Sequence, residues 1–124
     1  MNNVEMKIWG RVFDLEVYFK TYSGSGVTEE QKNTLSVFLD SDEIINGSKD
    51  KVITFIEDNY NDQLNGEKIE NIFKYVVPSL IYVPQNNKKM IAILCNFRFD
   101  IEHGLAVVFE NGTFKSVVLQ DAIL

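Results

Sequence analysis

The chain has 124 residues, with 45% hydrophobic residues, nine Phe, five Tyr and a formal charge of −6. That length fits one domain, and at this size about two-thirds of the unfolded chain's surface can be buried, so a core can form without staples and the composition argues against intrinsic disorder. The charge is uneven: Thr28 to Glu70 carries eleven Asp/Glu against four Lys, a balance of −7, and the rest carries +1. Such a distribution disfavours nucleic acid and anionic membranes, which need a cationic footprint; it permits a basic protein partner, although acidic helix faces that simply keep the chain in solution explain it as well.

At the N-terminus Val4, Met6 and Ile8 alternate with Glu5 and Lys7, the period of a half-buried strand. Gly10 permits a turn, and Phe13, Leu15, Val17 and Phe19 alternate with Asp14, Glu16, Tyr18 and Lys20 in a second strand. The two form an N-terminal hairpin whose inner face is set by Val4-Met6-Ile8, which leaves Trp9 either as a surface anchor for a partner or packed at the sheet edge. Ser23-Gly24-Ser25-Gly26 reads as a loop.

Thr28 with Gln31 three residues on has the capping-box spacing, and Leu35, Phe38 and Leu39 continue as a helical stripe. Asn46-Gly47 is expected to break the pattern, with Ser48 capping a second helix whose apolar side is Val52, Phe55, Ile56 and Tyr60. After Asn65-Gly66, the spacing of Ile69, Ile72, Phe73 and Val76 predicts a third short helix, ended by Pro78.

The remainder reads as strands. Ser79 to Val83 is followed by a turn at Gln85-Asn86-Asn87-Lys88. Lys89 to Phe99 is apolar on both faces over most of its length, as expected of a central strand covered on both sides. Asn111-Gly112 is the strongest hairpin signal, because a two-residue type I′ turn needs positive φ at both positions. It predicts that Glu110 meets Thr113, Phe109 faces Phe114, Val108 meets Lys115, Val107 faces Ser116 and Leu105 faces Val118. The fold class is therefore α+β: an antiparallel sheet built from the N-terminal hairpin and a C-terminal meander, with about three short helices on one face, in a single domain over residues 1–124.

Chemistry-bearing residues are sparse. The one histidine, His103, lies in Asp100-Ile101-Glu102-His103-Gly104. Asp100, Glu102 and His103 offer three metal ligands or a carboxylate–histidine acid/base pair, although spacings of two and one residues suit a single tetrahedral centre poorly. The same loop also reads as a strand connection, with Asp and Gly supplying the turn. Asp14/Glu16, Glu29/Glu30, Asp42/Glu43 and Glu57/Asp58 are adjacent acids, better read as solvated faces than as acid/base pairs. Phosphate-loop, nucleophile-elbow and HExxH motifs do not occur, and no cofactor is expected. Cys95, within an apolar run, reads as a small buried hydrophobe. No stretch reaches about 18 apolar residues, and the first residues lack the apolar core of a signal peptide, so a cytoplasmic location is expected.

Asp100-x-Glu102-His103-Gly104-Leu105-Ala106-Val107-x-Phe109-x-Asn111-Gly112, with Gln120-Asp121 near the end, resembles a group of small uncharacterised bacterial domains, and the N-terminal Gly10…Leu15-x-Val17-x-Phe19 pattern fits the same group. Comparable small families resemble immunity proteins of polymorphic toxin systems. That resemblance implies an acidic, cytoplasmic, non-catalytic protein that blocks a toxin by binding it. The leading expectation is thus a non-enzymatic binding protein that meets a basic toxin domain through an acidic face, with Asp40, Asp42, Glu43, Glu57, Asp58 and Trp9 as candidate contacts. The alternatives are a small metal-dependent or acid/base enzyme using Asp100, Glu102 and His103, and a structural or self-associating domain.

Overall fold

In the computed structural model, which describes residues 3–22, 24 and 26–124, the N-terminal alternation forms an antiparallel hairpin, β1 (Asn3–Ile8) and β2 (Arg11–Lys20). Ser23 and Ser25 of the expected loop lie outside the described residues. The hairpin turn is Trp9-Gly10, with φ of 52° and 88°, so both residues occupy the left-handed region that a two-residue type I′ turn demands. Three helices follow, α1 (Glu29–Leu39), α2 (Asp42–Asn59) and the single turn α3 (Asn61–Leu64). A 3-10 turn at Ile72–Lys74 leads into β3 (Val76–Pro84), β4 (Ile91–Phe97), β5 (Leu105–Glu110) and β6 (Thr113–Leu119). The six strands make one sheet in sequence order.

The α+β class and the N-terminal hairpin stand as expected, and four features differ. First, the sheet is mostly antiparallel, but β2 and β3 run parallel, with Val17 opposite Ile81. The intervening helices carry the chain back along one face, which is what a parallel pairing requires. Second, α2 runs unbroken through Asn46-Gly47, and Ser48 lies inside it. A mid-helix Gly costs about 1 kcal/mol, whereas Ile45, Val52 and Ile56 on the inner side are fully buried and each contributes roughly 1.5–3 kcal/mol. Third, Ile69 to Val76 is a loop, a 3-10 turn and the start of β3 rather than a helix, and Pro78 sits within β3 beside a bulge between Pro78 and Leu80. Fourth, the β5–β6 register holds as expected at Glu110–Thr113 and Phe109–Phe114 and then slips by one, so that Val108 faces Ser116 and Leu105 faces Leu119. Lys115 is the extra residue. The bulge brings Phe114, Val117 and Leu119, spaced three and two apart, onto the helix-covered core.

All three helices pack on the same side of the sheet. Phe38, Ile45, Val52, Ile56 and Leu64 share one core with Ile8, Leu15, Val17, Ile81, Ile93, Phe97, Val107 and Phe109. Helix α2 touches both edge strands, β1 and β6. The Trp9 indole N–H donates to the Ser48 hydroxyl at 3.0 Å, and the Lys51 ammonium lies 5.9 Å from the Phe114 ring, so both edges reach the same turn of the helix and the sheet curls about it. The capping box at Thr28 and Gln31 forms as the spacing predicts. The same Gln31 amide is buried and donates 3.0 Å bonds to the carbonyls of Lys20 and Val83, tying the ends of the parallel pair β2–β3 together.

Strand β4 is buried on both faces over most of its length, as its composition predicts. Its outer face forms a second small core: Tyr82, Met90, Ala92, Leu94, Ala106 and Val108, with Leu80, Val118 and Ile123 packed around it. Cys95 is fully buried, and desolvation pushes its thiol pKa up, so it is a protonated core side chain.

Candidate functional site

Helix α1 ends and α2 begins within two residues. Asp40 N–H bonds to Val37 O at 3.2 Å, Ser41 N–H to Phe38 O at 3.0 Å, and the Ser41 hydroxyl to Val37 O at 2.6 Å. This corner is held rigidly, and it faces the ends of β4 and β5 across an open groove of about 460 Å³. Phe38, Ile91 and Phe109 are buried and line the groove, and the Phe38 and Phe109 rings are 5.1 Å apart. Val37, 56% exposed, and Ile44, 37% exposed, line it from the helical bank. The opposite bank is Lys89 and the Asn111-Gly112 turn. Lys89 (φ 49°), Asn111 (φ 52°) and Gly112 (φ 81°) are all in the left-handed region, and Asn111 N–H bonds to Lys88 O at 3.0 Å, so this bank too has one defined shape.

The acidic candidates do not form one patch. Asp40, Asp42 and Glu43 are exposed at the α1–α2 corner, flanking Ser41 and Ile44 of the groove. Glu57 and Asp58 are exposed at the other end of α2, about 22 Å away at 1.5 Å per residue. The two pairs stand differently towards the helix dipole. Asp42 and Glu43 lie in the first turn, where negative charge is favourable, but Glu57 and Asp58 lie near the C-terminus, where it costs about 0.3–1 kcal/mol each and no basic residue compensates. Glu57→Lys is therefore expected to raise stability by about 0.5 kcal/mol in low-salt urea unfolding, with the gain shrinking towards about 1 M salt. A variant less stable than the parent at low salt would show that Glu57 has a structural partner.

Trp9 is not a surface anchor. It is 5% exposed, bonded to Ser48 and packed 6.0 Å from the Phe73 ring, which the Arg11 guanidinium covers from 4.2 Å. The type I′ turn turns its side chain onto α2, a consequence of two positive φ values that the Val4-Met6-Ile8 alternation does not reveal.

The Asp100–Gly104 loop brings two of its three candidates together. The Asp100 carboxylate accepts the His103 backbone N–H at 3.1 Å and lies 3.0 Å from its Nδ1, while Gly104 N–H bonds to Asp100 O at 2.9 Å. Glu102 points to solvent and contributes only a distant charge. Among the described residues, no three His, Cys, Asp or Glu side chains form a group that would hold a metal ion. The Asp100–His103 contact instead closes the loop. The Asp100 hydrogen bond and then its charge raise the imidazole pKa against an opposing desolvation, with lesser contributions from the charges of Asp121 and Glu102. Because the folded value lies above the unfolded one, the pair stabilises the fold below the ordinary histidine value of about 6.5, and the contribution is lost as pH rises through the folded value. An NMR titration of the sole histidine is expected to give a midpoint above about 6.5, and Asp100→Asn should lower it. A midpoint at or below that value in the parent would rule out the pair in solution.

The groove was not among the residues the sequence singled out. Val37 is a discernible signal, an apolar side chain one residue off the Leu35/Phe38/Leu39 stripe, but the rest of the groove also draws on two distant segments, residues 89–91 and 109–112.

Among the described residues, no helix is long and apolar enough to cross a membrane. No curated protein and no solved structure matches the chain. A family model described as a domain of unknown function, DUF6985, matches residues 1–124, in keeping with the small-domain resemblance of the C-terminal motif, and the chain belongs to that family.

Proposed function

We propose that this chain is a non-enzymatic binding protein of the immunity type, which neutralises a toxin domain in the cytoplasm by direct contact through its acidic helical face. The observation that carries this reading is the α1–α2 corner: Asp40, Asp42 and Glu43 are exposed on the same short stretch of chain as the exposed apolar side chains of Val37 and Ile44, which line an open groove. An apolar centre with a charged rim is the anatomy of a protein-binding patch, in which burial supplies affinity and charge sets encounter rate and register. Glu57 and Asp58, at the far end of α2, stand apart from this patch. The acid/base alternative would rest on the Asp100–His103 contact, which the closing of the loop also accounts for.

The test is to coexpress this chain with the toxic C-terminal domain of any large secreted protein found encoded beside it. Growth rescue and a stable complex are expected, with an association rate that falls steeply at about 0.5 M salt, where the screening length is about 4 Å. Failure to rescue would refute the toxin-neutralising reading. Rescue with a salt-independent on-rate would refute the acidic-face mechanism.

A further inference from the structure

We propose that the groove between the α1–α2 corner and the β4–β5 ends is the anchor site for a cationic amphipathic segment of a protein partner, with one large apolar side chain seated in the groove and Lys or Arg beside it. This deepens the binding-protein reading and rests on it. Three features of the groove point to that occupant.

The first is its shape. A volume of about 460 Å³ over the rings of Phe38 and Phe109 takes a large side chain. Val37 and Ile44 remain exposed beside it, so complete burial of the apolar surface needs a covering wider than a free small molecule, namely the backbone and flanking residues of a peptide segment. The second is rigidity. The helical bank is tied by the Ser41 bonds to Val37 and Phe38, and the strand bank by the Asn111–Lys88 bond, so little ordering cost falls on the site itself. The third is charge. Glu30 lines the groove, and the exposed Asp40, Asp42 and Glu43 adjoin its lining residues Ser41 and Ile44 in the chain. None of the four carboxylates is in an ion pair among the described residues, since the nearby Lys32 pairs with Glu29 at 3.6 Å. Lys89 is the one cation among the lining residues. A segment that carried acids beside its anchor would meet this rim unfavourably, and one that carried Lys or Arg would meet it favourably.

The experiment is a titration of the 15N-labelled protein with three blocked tripeptides, Lys-Trp-Lys, Ser-Trp-Ser and Glu-Trp-Glu, and with N-acetyl-tryptophanamide. Amide shifts are expected to centre on Val37, Phe38, Ser41, Ile44, Phe109 and Asn111. The cationic peptide should bind about tenfold more tightly than the neutral one, and the anionic one least, as two rim pairs would give. The double change Asp42→Asn and Glu43→Gln should reduce the preference for Lys-Trp-Lys over Ser-Trp-Ser. Ile44→Ser should weaken all three peptides. Shifts centred elsewhere, or Glu-Trp-Glu binding as tightly as Lys-Trp-Lys, would overturn the proposal. So would N-acetyl-tryptophanamide binding as tightly as the cationic peptide, which would make the groove a small-molecule pocket. Peptide binding in the groove together with failed toxin rescue would refute the toxin reading alone, and rescue that survives Ile44→Ser in a protein whose groove binds no peptide would refute the anchor alone.

Discussion

Trp9→Ala is expected to cost about 3–5 kcal/mol, a large part of the roughly 6–18 kcal/mol that a chain of this length commands. The indole is 5% exposed, its N–H is satisfied by Ser48, and its ring rests on Phe73, so truncation empties a site where the hairpin turn, α2 and the 3-10 turn meet. Those elements are held by the sheet on one side and by the helix ladder on the other, so the void can collapse only in part. Urea unfolding followed by circular dichroism should show a lower midpoint at unchanged slope, and thermal unfolding a drop of roughly 10–20 °C. The backbone adds an internal control. At φ 52° any residue with a Cβ is strained by roughly 1–2 kcal/mol, and Gly is not. Trp9→Gly, which loses the same indole, should therefore be less destabilising than Trp9→Ala, the reverse of the usual order. The parent's one tryptophan should emit as a buried indole and shift to the red on unfolding. A loss below about 1 kcal/mol in the Ala variant would mean that the indole is not packed against α2 in solution.

What could be read from the chain was local, and what could not be read was long-range. The Thr28–Gln31 capping box and the Asn111-Gly112 turn each depend on residues within a few positions, and both formed as expected. That the Gln31 amide goes on to bridge Lys20 and Val83 depends on a parallel strand pairing, which no nearby residue encodes. The Asn46-Gly47 dipeptide is a real breaker locally, and it lost to the buried Ile45, Val52 and Ile56. Ile69, Ile72, Phe73 and Val76 matched a helical stripe by spacing, yet three consecutive short elements each contribute one or two of those apolar residues, a degeneracy that periodicity alone cannot resolve. The slipped β6 register left a trace in Phe114, Val117 and Leu119, whose spacing fits one face only if a residue bulges out. The groove left least of all, because its banks come from residues 30–44, 89–91 and 109–112 and its exposed carboxylates look like any solvated helix end.

Gly104→Ala is expected to cost about 2–4 kcal/mol, and the reason also explains the C-terminal motif. Gly104 has φ +66°, which an added Cβ makes unfavourable by roughly 1–2 kcal/mol. That Cβ would also stand 2.5 Å from Gln120 Nε2, 2.9 Å from its Cδ and 3.0 Å from the Cys95 carbonyl. The Gln120 amide occupies this space because it donates to Cys95 O at 3.1 Å and Leu105 O at 3.3 Å, clamping the ends of β4 and β5 where the charged loop leaves the sheet. The Gln120 backbone N–H in turn bonds to Gly104 O at 3.3 Å. Ala at position 104 expels the amide and forfeits both side-chain bonds, about 1 kcal/mol each, in addition to the backbone strain. Gln120→Ala alone should lose the bonds without the strain and cost about 1–2 kcal/mol. The double variant should then cost clearly less than the sum of the singles, because the clash and the lost bonds are one event counted twice. Strict additivity in urea unfolding would separate Gly104 from Gln120 and remove this account of their pairing. If the coupling is found, the Asp100–Gly104 loop and Gln120 form one structural clamp, with the Asp100–His103 contact closing its outer turn. The motif that first suggested an active site would then be the device that closes the Cys95–Leu105 end of the β4–β5 pair, opposite the Ile91–Phe109 end that floors the groove.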